Sequence, residues 1–262
     1  MPLIQRIRAE KPHIFSIMNE VASNFSANGI IAIGASPSIS NTPKEAEESS
    51  RRARAVVLNL GTLTEDRAEA MLLAGKAANE AGTPVILDPI AMGATTFRTK
   101  VINDLLENVQ FTAICGNAGE IAVLGEALER TTSPDAAIDT NDPAIAKKVA
   151  QKYNTIVVST GETDVITDGS KVALCSNGHE MMANITASGC VFTAVLAAFI
   201  AVGGKHVYDA SIEATASYAI AGEIAAGNSR GPGSFIPAFL DELYLLDAET
   251  YRTHEKVERI EA

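Results

Sequence analysis

Through the first 160 residues, short continuously apolar runs alternate with longer stretches whose apolar positions recur at helical spacing. The runs GIIAIGAS (29–36), AVVLNLG (55–61), PVILDP (84–89), FTAICGN (111–117) and TIVVSTG (155–161) are rich in β-branched residues and are punctuated by Gly, Asn, Asp or Pro. None alternates apolar with polar, which is how strands covered on both faces of a parallel sheet read. Between them, TEDRAEAMLLAGKAANEAG opens on a threonine cap with an acidic first turn and closes at Gly82, and DPAIAKKVAQKYN has apolar residues at helical spacing. The order β-α-β-α predicts a parallel sheet with its ligands at the carboxyl ends of the strands, where the polar and glycine residues gather.

The pattern changes after residue 180. MMANITASGCVFTAVLAAFIAVGG (181–204) starts polar, turns apolar and stops at paired glycines, which predicts a buried helix beginning beside Cys190. Residues 211–246 read as helical, interrupted by NSRGPGSF, whose glycines and proline mark tight turns. The polar segment LERTTSPDAAIDTNDP (128–143) reads as a surface loop. With no internal repeats, the chain reads as one α/β domain over residues 1–262.

Composition narrows the function classes. Hydrophobic residues make up 47% of the chain and charged residues 20%, so a sizeable core is available. The net charge of −11 argues against a nucleic-acid-binding or anionic-membrane surface, both of which need basic patches. Cys115, Cys175 and Cys190 are odd in number and unpaired in spacing, so neither a disulfide framework nor a zinc site is predicted, and reduced, cytoplasmic residence is the expectation. The N-terminal MPLIQRIRAEKPHIF scatters charges among its apolar residues and has no signal-peptide core. The apolar run after Cys190 is shorter than the roughly 20 residues a membrane span needs.

Two acids stand at neighbouring strand ends. ILDP places Asp88 at one, NAGE places Asn117 and Glu120 just past the next, and carboxylates at such an edge suit Mg2+ or a phosphate-bound metal. Taken singly, Asp88 is equally a turn Asp before Pro, and Glu120 equally a first-turn helix acid. Together, with no cation in either motif, they favour the metal. STGETDVI offers Ser159, Thr160 and Gly161, whose hydroxyls and amide suit phosphate oxygens or, alternatively, a β-turn. Asn19 and Asn24 either orient a small polar ligand or cap helices. Cys190, preceded by Ala187-Ser188-Gly189, is either a small buried hydrophobe or a side chain aimed into an anion pocket formed by the amides of 187–190. Neither G-x-x-x-x-G-K-[ST] nor G-x-G-x-x-G occurs. His13, His179, His206 and His254 show no metal or triad spacing and read as structural.

Taken together, NFSANGIIAIGASP, LNLGTL, GTPVILDPIAMGATTFR, GNAGEI, STGETDVI, NGHEMMANITASGC and GPGSF, in this order and at these separations, resemble the 4-methyl-5-(2-hydroxyethyl)thiazole kinase family of thiamin salvage. The likeness runs from about Ile14 to Leu243. It implies a three-layer ribokinase-like α/β fold, a mostly parallel central sheet with helices on both faces. It also implies ATP- and Mg2+-dependent transfer of the γ-phosphoryl group to the primary alcohol of the thiazole, by a homotrimer whose neighbouring subunits share the substrate site. By position, Asn117 and Glu120 match the Asn-x-x-Glu element near Mg2+ and phosphate, Asp88 a second acidic position there, and Thr160 a nucleotide-phosphate contact. Asn19, Val21, Ile39 and Gly61 match positions around the thiazole. Cys190 matches the general-base place, an Asp in most ribokinase-like enzymes, and a helix N-terminus is a setting that can lower its pKa.

Three positions depart from the family pattern. The anion loop, usually Gly-(Thr or Ala)-Gly-Cys, is Ala187-Ser188-Gly189-Cys190; if residue 187 has positive φ, its alanine costs roughly 1 kcal/mol. The Arg that usually precedes Gly-Asn and contacts the nucleotide is Cys115, a loss of charge-assisted hydrogen bonds that predicts ATP binding roughly 10- to 100-fold weaker. Thr-Asn-x-Val is Met18-Asn19-Glu20-Val21, with Glu20 read as a solvated helix residue. These departures leave two alternatives beside the thiazole kinase, a ribokinase-like kinase of another small alcohol and a relative that binds thiazole or nucleotide without transfer.

Overall fold

The computed structural model describes residues 2–126 and 141–260. The expected loop 128–143 lies outside the described residues up to residue 140. Strands β1 (His13–Ile17), β2 (Ser36–Ile39), β3 (Ala55–Asn59), β4 (Val85–Asp88), β5 (Ala113–Asn117), β6 (Ile156–Thr160), β7 (Asp164–Thr167), β8 (Val172–Cys175) and β9 (Val257–Ile260) make one nine-stranded sheet, in the order β2-β1-β3-β4-β5-β6-β7-β8-β9. Neighbours from β2 to β6 run parallel, and β6 to β9 are antiparallel.

Side chains alternate across the sheet because the strand period is two. Ile14, Val57, Ile86 and Val158 enter one core, under α1 (Leu3–Glu10), α2 (Glu20–Ala32), α8 (Ser188–Gly203), α9 (Val207–Gly227) and α10 (Pro232–Leu245). Phe15, Val56, Leu87 and Val157 enter the other, under α3 (Pro43–Arg52), α4 (Glu65–Ala81), α5 (Thr96–Asn108), α6 (Ala118–Leu124) and α7 (Pro143–Tyr153). A last helix, α11 (Ala248–His254), leads into β9. The helix signals hold where expected: Thr64 caps α4 through the Arg67 amide, Gly82 closes it in the left-handed region at φ 69°, and Asp142 caps α7. No helix among the described residues is long and apolar enough to cross a membrane.

Four of the five apolar runs are β3, β4, β5 and β6, trimmed by a residue or two at their ends. The run 29–36 is not a strand. Residues 29–32 finish α2, and β2 begins only at Ser36. Ala22, Ser26, Gly29 and Ile30 form the buried stripe of that helix, and a β-carbon on Gly29 would stand 2.7 Å from Val191 Cγ1 on α8. This close packing overrides the β-propensity of the isoleucines. Ile31, which a doubly covered strand would bury, is exposed.

The parallel register lines up the strand ends, setting Asn59 beside Asp88 and Asn117 beside Thr160. The first turns of α8 stand over the same edge, where Thr193 reaches Asp88.

Candidate active site

Asn59 and Asp88 are buried side by side at the ends of β3 and β4. Asn59 Nδ2 donates to Asp88 Oδ2 at 2.6 Å, and Thr193 Oγ1 on α8 donates to the same oxygen at 3.3 Å. Asn59 Oδ1 accepts from the Gly61 amide at 3.2 Å and from Asn19 Nδ2 at 2.8 Å. Asn19 Oδ1 caps α2 by accepting from the Ala22 amide at 2.9 Å, which turns its Nδ2 inward, where it also reaches Cys190 Sγ at 3.3 Å. Backbone amides therefore set the direction of both side-chain amides. A hydrogen-bonded file runs from Cys190 through Asn19 and Asn59 to Asp88.

Burial, followed by the charge of Glu120, pushes the Asp88 carboxyl up to about 8, against the pull of Asn59, Thr193 and Cys190. Burial and then the charge of Asp88 push the Cys190 thiol up to about 11. A helix start can lower a thiol, but here desolvation, followed by the charge of Asp88, outweighs the helix end and leaves Cys190 a weak base.

Asn117 and Glu120 form a capping box on α6, the Glu120 amide donating to Asn117 Oδ1 and the Asn117 amide to Glu120 Oε2, both at 2.9 Å. Glu120 Oε1 accepts from the Ala91 amide at 2.9 Å. Gly116 leaves room for this carboxylate, since a β-carbon there would stand 2.9 Å from Glu120 Oε2. Among the described residues neither Asp88 nor Glu120 is ion-paired. Nor does any cluster of three or more His, Cys, Asp or Glu gather among them to cage a metal. Two uncompensated carboxylates without a full cage fit Mg2+, which keeps several waters and takes further ligands from substrate phosphates.

The anion loop carries the strain its sequence foretold. Ala187 adopts φ 67°, ψ 8°, and provides no side-chain cap, so amides of the first turn of α8 lack helical partners. Tyr218 Oη on α9 donates to the Ser188 carbonyl at 2.7 Å, and its ring packs edge-on against Phe239 at 4.9 Å. A β-carbon on Gly189 would meet nothing within 4 Å, so the space over the loop is open. It opens into a cleft of about 830 Å³, bounded by the ends of β5 and β6, the 3₁₀ turn Glu180–Asn184 and α9. Glu162, Asp164 and Glu180 line the cleft, and no Lys or Arg does among the described residues.

The sequence-derived residues fall into three places. Asn117, Thr160, Gly161, Ala187, Ser188 and Gly189 line the cleft. Asp88, Glu120 and Cys190 do not line the cleft: Asp88 and Cys190 are joined through Asn59 and Asn19, and Glu120 is tied to Asn117, which does line it. Asn19 and Gly61 are on the far side of Cys190, so close that a β-carbon on Gly61 would stand 2.6 Å from Asn19 Cβ. Ile39 is half-buried at the end of β2, whereas Val21 is 62% exposed. Cys115 is buried away from the cleft lining, its thiol pushed well up by burial and the charge of Asp88.

Two of the phosphate candidates are already engaged. Ser159 Oγ donates to Asn141 Oδ1 at 3.1 Å, and the Gly161 amide to Asp164 Oδ1 at 3.0 Å. Thr160 Oγ1 makes only a long contact of 3.4 Å to the Gly116 carbonyl and remains available. Asn24 pairs with Asn28 on the exposed side of α2. Glu20 is the solvated helix residue expected, its side chain 79% exposed at the start of α2, and it also pairs with Arg67 at 2.8 Å. Asn59, Thr193, Tyr218 and Asp164 also shape the site although the sequence singles none of them out, and His179, which reads as structural, caps the 3₁₀ turn while lining the cleft. The available signal for Asn59 was an amide closing an otherwise apolar run.

The chain matches the hydroxyethylthiazole kinase family over residues 4–249. It is 57% identical over 257 residues to hydroxyethylthiazole kinase 2 of Oceanobacillus iheyensis, covering 98% of each chain. The solved hydroxyethylthiazole kinase protein of Pyrococcus horikoshii superposes with a TM-score of 0.90 at 35% identity, over 99% of this chain and 98% of that one. A ribokinase-like superfamily protein of Enterococcus faecalis shares the fold at a TM-score of 0.65 and 12% identity, over 93% of this chain and 89% of that one. The expected ribokinase-like architecture is the one observed.

Two outcomes test this geometry. A carboxyl raised above its unfolded value near 4 supports the folded state fully below that value and loses this contribution as pH rises through about 8. Asp88→Asn therefore matches wild type near pH 4 and becomes more stable than it by about 2–5 kcal/mol at pH 8 without divalent metal, as read by urea denaturation at both pH values. A constant difference across that window refutes the buried, unpaired carboxyl. Ala187→Gly relieves the left-handed alanine and raises the melting midpoint by roughly 2–4 °C, or about 1 kcal/mol; a lowered midpoint contradicts strain at that residue.

Proposed function

The chain belongs to the hydroxyethylthiazole kinase family, and on that footing we propose that it transfers the γ-phosphoryl group of ATP, with Mg2+, to the hydroxyethyl group of 4-methyl-5-(2-hydroxyethyl)thiazole. The observation that carries this reading is the pairing of two carboxyl groups without ionic partners, Asp88 and Glu120, behind the uncapped start of α8, whose first residues open onto the cleft. Nucleotide occupies the cleft, its phosphates facing Thr160, Asn117 and the amides of 187–190. Asp88 and Glu120 would hold Mg2+, which supplies neutralisation of phosphoryl charge when bound.

The acceptor lies across Cys190, among Asn19, Val21, Ile39 and Gly61. Its hydroxyl oxygen forms the new O–P bond as the bond from the γ-phosphorus to the β,γ-bridging oxygen breaks, ADP departs with that oxygen's electron pair, and the hydroxyl proton passes by way of a phosphoryl oxygen to water. A thiol pushed up to about 11 is overwhelmingly S–H at neutral pH and a scarce base. Phosphoryl transfer through a loose transition state depends more on positioning and charge stabilisation than on proton removal. Cys190 therefore serves chiefly to orient the hydroxyl beside the Asn19 amide, and the enzyme is slow. The exposure of Val21 on a single chain fits an acceptor site completed by a neighbouring subunit; the homotrimer of one-domain subunits working in the cytoplasm follows from the family resemblance and the unpaired cysteines.

The test is ADP formation by purified protein with MgATP, with and without the thiazole, and mass spectrometry of the product. Thiazole-dependent ADP with phosphorylated thiazole is the expected result, and no turnover at high enzyme concentration refutes the assignment. Cys190→Ala lowers kcat by about 10- to 100-fold with thiazole binding nearly intact; a larger loss would restore the thiol to a full general-base role.

A further inference from the structure

We propose that Arg67 is a positioning residue for the acceptor alcohol, clamping the β3–α4 loop onto the start of α2 and so shaping the pocket between Asn19 and Gly61. This rests on the reading above that these residues surround the acceptor. Arg67 lies in the first turn of α4, with its side chain only 7% exposed. Its Nη1 donates to both the carbonyl and the hydroxyl of Thr62, and its Nη2 to Glu20 Oε1 at 2.8 Å. The Glu20 amide in turn donates to Thr62 Oγ1 at 3.4 Å. One guanidinium thus ties residue 62 to residue 20, the immediate neighbours of the two acceptor-site positions Gly61 and Asn19.

Two physical arguments separate this from ordinary helix packing. A cation in the first turn of a helix opposes the helix dipole, so Arg67 stands where it does at the expense of α4, and its bonds go to the loop and to α2. Thr62 has φ 43°, a left-handed conformation unfavourable for a β-branched residue, and such a conformation persists only where surrounding contacts over-determine it. Arg67 supplies both side-chain contacts that hold the Thr62 backbone and hydroxyl. Gly61, pressed against Asn19, leaves no slack for the loop to settle elsewhere without moving that asparagine, whose Nδ2 connects to Cys190. The planar fork matters because Arg67 reaches Thr62 and Glu20 with separate nitrogens, and a lysine at 67 keeps the charge but concentrates its donors on one atom.

The experiment compares wild type, Arg67→Met and Arg67→Lys in steady-state kinetics with thiazole and MgATP varied in turn, alongside melting midpoints with each ligand. Arg67→Met raises the thiazole KM about 10-fold or more and leaves the MgATP KM within about 2-fold, and Arg67→Lys falls closer to Met than to wild type. The midpoint shift caused by thiazole shrinks in both variants, whereas the shift caused by MgATP persists. Equal changes in both KM values, or a lowered midpoint with the thiazole KM unchanged, overturn the proposal while leaving the kinase reading in place. Wild-type protein that neither turns over thiazole nor is stabilised by it overturns the acceptor site and this proposal together.

Discussion

Asp88 is a carboxyl taken out of water without a cation beside it, and the arrangement of the strand edge follows from that. Burial alone would leave its oxygens costly and unoriented. Asn59 and Thr193 answer with two donors on one oxygen, which orients the group without neutralising it. Asn59 has to be an amide for this: a carboxylate there would face Asp88 with a second charge, and an apolar side chain would strand both Asp88 and Asn19. Its own direction is set by the Gly61 amide, so the geometry of the carboxyl is traced back to backbone rather than to a flexible side chain. With its carboxyl at about 8, Asp88 is largely protonated at neutral pH, and Glu120, tied down by two backbone amides, pushes it further that way, so a bound cation would have to draw the proton off.

The same economy shapes the start of α8. A capping side chain would consume an amide that an anion needs, and residue 187 has none to offer. The loop is held instead from its carbonyl side, by the Tyr218 hydroxyl on Ser188, which leaves the N–H groups free. Tyr218 can do this because its ring is buried between Phe192 and Phe239, a packing that fixes where the hydroxyl points. An alanine in a left-handed conformation is the cost of this geometry, consistent with strain concentrating where the backbone is asked to present donors.

Much of this was legible in the sequence, and the misses share a cause. β3, β4, β5 and β6 were readable because a doubly covered parallel strand leaves an unbroken apolar run, and Asp88, Asn117 and Thr160 were readable because they end such runs. The run beginning at Gly29 misled because its isoleucines favour strands, while the deciding fact, a helix-to-helix contact too close for any β-carbon at Gly29, lies on a segment more than 150 residues away. Strands β7, β8 and β9 are short and partly polar, and their pairing is antiparallel and long-range for β9, so no local period announced them. Within the site, residue types were foreseeable but commitments were not. Asn141 engages Ser159 and Asp164 engages the Gly161 amide, and the burial of Cys190 beside Asp88 sets its thiol high; the residue types of the motifs announce none of these partnerships.

The two sides of Cys190 are therefore built on different principles. The cleft side is open and acidic, and its preorganisation lies in backbone: uncapped amides, a capping box and a glycine that makes room for Glu120. The opposite side is assembled from side chains, with Asn19, Asn59 and the Arg67 fork each spanning two segments of chain. Backbone donors suit a group common to every nucleotide, whereas side-chain bridges can be exchanged one at a time. In a fold whose relatives differ widely in sequence while keeping the sheet, the bridging side is, on the proposed assignment, where selectivity for one small alcohol would be set without disturbing the backbone donors of the cleft side. A thiol with little basic character is compatible with that division, because what separates the two halves of the site needs only to be small, oriented and dry.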